Sequence, residues 1–222
     1  MKIRVKENLH AVWLLFWPLQ IIWYAILESN AREMPRFFTV HSFIDDWIPF
    51  IPWFVIFYLL WYVYIAVGML YFTFVEKEGF RRLIVFLYTE IFLCLLFCTM
   101  FPNGHDMRPV LAGRTDLFSN LVKLIYDADP HCVTVMPSMH VMNAVAITAA
   151  VTKSKRLSHK KGLVWGCWIF TFLVALSTVF IKQHSILDVA VAAVVCVLMY
   201  LLAYRTEFPF FDKNKRIERV TQ

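Results

Sequence analysis

STVFIKQHSILD, residues 177–188, sets a histidine and an aspartate four positions apart at the mouth of an apolar run. Four residues is just over one helical turn, so His184 and Asp188 share a face. The carboxylate can then hold one imidazole nitrogen while the other stays free to act. A second histidine closes Met136-Pro137-Ser138-Met139-His140, again where a polar loop runs into an apolar stretch. One histidine at such a boundary is ordinarily interfacial or hydrogen-bonded packing. Two, on stretches that a membrane topology can bring to one depth, need a common explanation.

Outward from that stretch, the composition is 60% hydrophobic and 17% charged over 222 residues, outside the range of soluble domains. Six segments are apolar enough to span or nearly span a bilayer: 12–27, 52–75, 83–101, 138–151, 163–180 and 185–204. The expected fold is an all-α, polytopic membrane protein of six transmembrane helices, one domain over residues 1–206, with a polar cytoplasmic tail at 207–222 that carries no chemistry. The fourth segment falls short of the roughly 20 residues a span needs. A tilted or buried start around His140 would lengthen it and place that residue inside protein rather than lipid.

The net charge of +6 does not point to nucleic acid, because Lys and Arg fall in short blocks between spans rather than along a contiguous groove. Lys2, Arg4 and Lys6 precede the first span, and Lys77, Arg81 and Arg82 separate the second from the third. Lys153, Lys155, Arg156, Lys160 and Lys161 separate the fourth from the fifth, and Arg205, Lys213, Lys215, Arg216 and Arg219 follow the sixth. With six spans all four blocks share one side, which the positive-inside rule makes cytoplasmic. The opposite loops carry fewer bases: Arg32, Arg36, Arg108, Arg114, Lys123 and Lys182. Both termini are thus expected in the cytoplasm. No small-residue cleavage pattern follows the first span, so it reads as uncleaved.

Other features have ordinary readings. Cys94, Cys98, Cys167 and Cys196 fill spans as small apolar residues, Cys132 is alone outside, and no zinc-ligand spacing or disulfide framework is present. His10, His41, His105, His131 and His159 read as interfacial or packing residues. The aromatic-rich second span either packs and anchors or lines a lipid access path. Asp45 and Asp46 either keep a helix start wet or contact a head group or a base near the site. Glu90, toward the cytoplasmic half of the third span, reads as a neutral or paired packing residue. The long outer connection, 102–137, carries an apolar pattern at 117–126 that predicts a short helix on the membrane surface, placed to roof a site.

Topology brings several polar positions to one depth. Ser138 and His140 open the fourth span, Ser177 closes the fifth, His184 opens the sixth, and Arg108 follows the third, all on the outer side. As chemistry, His184 is the nucleophile, since an imidazole nitrogen can attack phosphorus. Asp188 fixes its tautomer and supports developing positive charge. His140 protonates the leaving oxygen and deprotonates the incoming one. Arg108, and with it Lys182, neutralises phosphate oxygens. Ser138 and the backbone N–H groups at the start of the fourth span add donors at a helix N-terminus. The scheme needs no metal and no cofactor, and its partner is a membrane lipid.

At these residues the sequence resembles the type 2 phosphatidic acid phosphatase superfamily, also called lipid phosphate phosphatases, described by the signatures Lys-x6-Arg-Pro, Pro-Ser-Gly-His and Ser-Arg-x5-His-x3-Asp. Here the first survives as Arg108-Pro109, with Phe101 where the lysine would be. The second is Pro137-Ser138-Met139-His140, with methionine for glycine. The third runs Ser177-Thr178, five residues, His184, three residues, Asp188, with Thr178 in the arginine position. The resemblance implies six helices with an outward-facing site, His184 as the phosphohistidine-forming nucleophile, Asp188 as its partner, His140 as general acid, and Arg108 and Ser138 around the phosphate. The implied activity is hydrolysis of a lipid phosphomonoester or pyrophosphate at the outer leaflet. The altered signatures also look like the branch of inositol phosphorylceramide and sphingomyelin synthases, which pass a phosphorylated head group to another lipid. A protein that binds or transports anionic lipids without turnover is the remaining alternative.

Overall fold

In lipid every backbone N–H and C=O must be satisfied within the protein, so runs as apolar as these fold into helices. The computed structural model describes residues 12–31 and 38–206. Among the described residues five helices are long and apolar enough to cross a membrane: Val12–Asn30, Pro52–Phe74, Lys77–Met100, Lys161–Phe180 and Ile186–Arg205. They correspond to α1 (Phe16–Ala31 with a preceding 3-10 turn), α2 (Val55–Phe74), α3 (Lys77–Met100), α6 (Lys161–Phe180) and α7 (Ile186–Arg205). The chain is an all-α, multi-span membrane protein.

The segment expected as the fourth of six spans is α5 (Met139–Lys153), 15 residues long. At 1.5 Å per residue it measures about 22 Å, less than a hydrocarbon core of about 30 Å. It packs against α2, α3, α6 and α7, so protein rather than lipid surrounds it. Ala144, Ala146, Ala149 and Ala150 are all buried and let these neighbours approach closely. Gly68 of α2 shows how closely: a Cβ there would lie 2.7 Å from Ile147 of α5. Thr148 of α5 joins Tyr64 of α2 and Thr171 of α6 in hydroxyl contacts of 2.7 Å each.

α3 begins six residues before the expected start, taking in Lys77, Arg81 and Arg82. One reason is visible in Arg82, whose guanidinium donates to the Ala203 carbonyl 2.6 Å away and so satisfies the C-terminal end of α7. Glu90 is fully buried in α3, and its carboxylate has no hydrogen-bond partner among the described residues, so pairing is not what accommodates it.

A cap covers the end of the bundle that carries His140 and His184. The predicted surface helix is α4 (Leu117–Ala128), started by the Asp116 carboxylate, which accepts from Ser119 N–H at 2.9 Å. The cap also holds a feature the sequence reading lacked: a parallel ladder of β1 (Phe38–Thr39) and β2 (Asn103–Gly104), with an antiparallel bridge from Gly104 to Val133. Asn103 secures it, its side-chain oxygen accepting from the N–H groups of Val135 and Met136 at 3.2 and 2.8 Å. The polar tail at 207–222, His10 and the basic residues Lys2, Arg4, Lys6, Arg32 and Arg36 lie outside the described residues.

Candidate active site

The site is built where α6 stops and α7 starts. At the end of α6 the Gln183 N–H reaches back to Thr178 O and the Lys182 N–H to Val179 O, which closes the helix as a Schellman turn with Lys182 in the left-handed position at φ 55°. The His184 N–H also donates to Thr178 O, at 3.1 Å, so the turn fixes the histidine backbone. Two residues later α7 begins, and each of its first N–H groups has a partner. Ser185 N–H donates to Asp188 Oδ2, Ile186 N–H to Asp45 Oδ1 and Leu187 N–H to Ser185 Oγ, at 2.9, 2.8 and 3.1 Å. Asp45 is therefore buried at the start of α7, where its other oxygen accepts from Ser185 Oγ–H at 2.6 Å. It does not keep a helix start wet. Asp46 stays exposed and pairs with His41.

Capping turns the Asp188 carboxylate toward the histidine. His184 Nδ1 lies 3.1 Å from Asp188 Oδ2, and His184 Nε2 lies 3.2 Å from Nδ1 of His140. The tautomers that satisfy both contacts place a proton on His184 Nδ1 facing Asp188 and a proton on His140 Nδ1 facing His184. The free lone pair of His184 is then on Nε2. Burial pushes His184 down from the usual imidazole range to about 3, with the Arg108 charge acting in the same direction. Its neutral, nucleophilic form is the one present at neutral pH. His140 is held from behind by the rings of Tyr58 and Trp61, each with its centroid 4.5 Å away. Ser138, at the N-terminus of α5, donates its N–H to Asp188 O at 3.3 Å, while its hydroxyl has no partner among the described residues.

Arg108 sits one layer out. Its guanidinium forms an ion pair with Asp129 at 2.7 Å, donates also to Asp129 O and Gln183 Oε1, and stacks over Tyr126 at 4.5 Å. Burial raises the Asp129 carboxyl above its usual range, with Arg108 opposing. His105, read from sequence as packing, donates its Nε2–H to Gln183 O at 2.9 Å and contacts the Cys132 thiol. Burial lowers His105 to about 4 and raises Cys132 to about 12.

His140, His184, Asp129 and Gln183 line one end of a cavity of about 900 Å³. Apart from Gln20, Thr134 and Asn143 the rest is mainly apolar, running between α1 and α2 past Ile21, Leu59, Ala66 and Leu70, with Leu121, Leu124 and Ile125 of α4 above. Ile21 and Leu70 are also exposed on the outer surface of the bundle, so the cavity reaches the face that meets lipid.

Of the residues singled out from sequence, Ser138, His140, His184 and Asp188 come together, and Arg108 stands behind them through Asp129 and Gln183. Two do not join them. The Lys182 ammonium donates to the carbonyls of Asp45 and Ile48 at 2.9 and 2.7 Å and is absent from the cavity wall. Ser177 Oγ donates to Val174 O at 2.7 Å, within α6. Sequence reading missed Tyr58, Trp61, Asp129 and Gln183 around the histidines. The Asp45-Asp46 pair before the second span carried a partial signal for the Asp45 cap. Among the described residues no three His, Cys, Asp or Glu side chains group as metal ligands do.

In comparisons with known proteins, a family model described as the PAP2 superfamily matches residues 92–212, more than half of the chain, and the match includes both histidines and Asp188. No curated protein and no solved structure matches the chain.

Proposed function

Because the chain belongs to the PAP2 superfamily, we propose that it is a metal-independent lipid phosphatase that hydrolyses a lipid phosphomonoester or pyrophosphate through a phosphohistidine at His184. The observation that supports this most directly is the relay from Asp188 through His184 to His140, with contacts of 3.1 and 3.2 Å. In the resting site the His140 Nδ1–H faces the nitrogen that attacks. For phosphorus to enter between the rings, the nitrogens separate to about 5–6 Å, a near-attack N···P distance plus a hydrogen-bonded leaving oxygen.

His184 Nε2 then gives its lone pair to phosphorus, the P–O bond to the lipid breaks with its electrons on oxygen, and His140, as imidazolium, protonates that oxygen. Asp188 offsets the positive charge on the phosphorylated ring. In the second half, neutral His140 takes a proton from water as the water oxygen attacks phosphorus. The N–P bond breaks, inorganic phosphate leaves, and both rings regain their starting protonation. The N-terminus of α5 holds the phosphate oxygens, and Arg108, one layer out behind Asp129 and Gln183, adds positive potential.

The apolar cavity supports a lipid as substrate, since a tail can lie between α1 and α2 while the phosphate reaches the histidines. Sidedness follows from charge. The loop blocks 77–82 and 153–161 lie at one end of the bundle, joined by the Lys155–Glu78 ion pair and by the Ser154–Glu76 hydrogen bond, and the histidines lie at the other. The site is accordingly extracytoplasmic or lumenal, with six crossings and both termini in the cytoplasm.

One observation favours a second reading, a head-group phosphotransferase of the phosphorylceramide-synthase type. Among the described residues no Lys or Arg lines the cavity. Neither altered signature position supplies a charge either, since Phe101 is exposed and the Thr178 hydroxyl donates to Ala175 O. A phosphodiester with one negative charge suits such a wall better than a dianion.

The test incubates purified protein with phosphate-labelled phosphatidic acid and, separately, with a phosphate-labelled phosphodiester lipid in the presence of ceramide. Hydrolysis predicts free phosphate and an acid-labile, alkali-stable phosphoenzyme that His184→Ala abolishes. Label appearing only in an acceptor lipid would select transfer. Undiminished turnover by H184A would remove both.

A further inference from the structure

Arg108 is held by a carboxylate that is itself half satisfied. Asp129 Oδ2 accepts from the guanidinium at 2.7 Å, while Asp129 Oδ1 is buried without a hydrogen-bond partner among the described residues. Glu28, in the last turn of α1, shows the same division. Its Oε1 accepts from the His131 N–H at 3.2 Å, and its Oε2 is buried and lacks a partner among the described residues. The two carboxyls lie within hydrogen-bonding reach of each other. Two acids from distant segments therefore meet behind one arginine, each with an oxygen left over.

Ionised carboxylates cannot pack their unpaired oxygens together away from water, because like charges repel and neither has a donor to offer. One proton between them removes both faults: it supplies the donor that each oxygen lacks and halves the charge of the pair. Burial, which raises the Asp129 carboxyl, favours that state, and Arg108 opposes it. The other groups facing the pair are Tyr24 of α1, Tyr58 and Tyr62 of α2, and His131 and Cys132 of the loop after α4. Of these residue types histidine is the one that changes charge near neutrality when unperturbed.

Resting on the reading of this chain as a lipid phosphate enzyme, we propose that Glu28 is a positioning residue: by sharing a proton with Asp129 it leaves Arg108 electropositive toward the substrate phosphate, and loss of that proton weakens phosphate binding. With the proton in place, Arg108 and the pair sum to zero charge. Without it they carry a net negative charge at the end of the cavity that Asp129 shares with His140 and His184. One added negative charge near a phosphate dianion weakens binding by about 10-fold at the effective dielectric of a partly buried site.

The experiment measures KM for dioleoyl phosphatidic acid from about pH 5 to pH 8 in wild type, Glu28→Gln, Asp129→Asn and His131→Gln. In Glu28→Gln the amide oxygen still accepts from the His131 N–H, and the amide N–H gives Asp129 Oδ1 a permanent donor, so the charge behind Arg108 no longer changes as the pH rises. The ratio of wild-type to Glu28→Gln KM should climb about 10-fold across the range; the lipid's own ionisation is common to both and cancels. Asp129→Asn should also lose the climb, which covers a Glu28→Gln protein that fails to fold, and His131→Gln should keep it. A merely structural role for Glu28 would shift KM by the same factor at every pH.

Binding of the same lipid to His184→Ala, with and without Glu28→Gln, read by ligand-induced thermal shift at both ends of the pH range, separates this role from the chemistry. Binding that weakens with rising pH only where Glu28 is intact supports the role even if no lipid is hydrolysed. Infrared difference spectra of the lipid-free protein report the proton directly, as a protonated-carboxyl band that titrates over the same range and is missing from Glu28→Gln. Absence of that band overturns the proposal, as does a KM ratio flat with pH or a climb that His131→Gln abolishes.

Discussion

Replacing Asp45 by alanine should disable a catalytic group that Asp45 never touches. Its carboxylate accepts from Ser42 N–H at 2.9 Å, from Ser185 Oγ–H at 2.6 Å and from Ile186 N–H at 2.8 Å, and the residue is 3% exposed. The Ser42 donor lies near the surface and can turn to water. The other two are buried at the start of α7 and lose their partner. Each hydrogen bond to a charged acceptor contributes about 1.5–3 kcal/mol, so losing two costs about 3–6 kcal/mol. At roughly 2–4 °C per kcal/mol for a chain of this size, the unfolding midpoint in detergent drops by about 10 °C. Because Ser185 follows His184 directly and its N–H shares Asp188 Oδ2 with the imidazole, loosening the cap also misaligns the nucleophile. Asp45 is a positioning residue, so kcat falls while KM for phosphatidic acid stays within about 3-fold. Asp45→Asn, which keeps one acceptor oxygen, falls between. Thermal unfolding and steady-state phosphate release measure both effects, and an Asp45→Ala protein with wild-type midpoint and kcat would refute the reasoning.

Lys182→Met removes the two carbonyl contacts of the ammonium while leaving the left-handed backbone in place, so the unfolding midpoint should drop by several degrees. Lys182→Gly also relieves a left-handed strain of about 1 kcal/mol and should be the more stable of the two; a large rise in KM with an unchanged midpoint in Lys182→Met would instead make it a phosphate ligand. The contribution of His105 and His184 to stability should fall between pH 6.5 and about 4. His105 and His184 have folded-state values lowered to about 4 and about 3, so the unfolded chain binds more protons there and stability falls as pH falls. Asp129, raised by burial, opposes this slope. His105→Gln should flatten the curve of midpoint against pH, and an unchanged curve would refute its share. Finally, cysteines placed at the exposed positions Arg114 and His159 in a background without native cysteines should label from opposite sides with a membrane-impermeant maleimide. Labelling of both from one side would undo the topology.

The sequence by itself determined the membrane class, the helices that carry it and the pairing of His184 with Asp188. Apolar run length and a four-residue spacing are local properties, which survive any rearrangement of distant segments. Chain-order reasoning also brought His140 to the depth of His184, since alternate spans return to the same side. Tertiary structure alone decided what each polar group touches at that depth. Lys182 and Arg108 carry the same charge on the same side, yet Lys182 occupies the left-handed stop of α6 and bonds the 45–48 carbonyls, while Arg108 meets Asp129 and Gln183. Asp45 and Asp46 are adjacent in sequence, yet one caps α7 from within and the other pairs with His41 at the surface. Sequence patterns assign a residue to a face or an end. Which of several partners within hydrogen-bonding reach it takes depends on the packing of segments apart in sequence, by as many as 141 residues for Asp45 and Ile186, and that is set only when the helices close around α5.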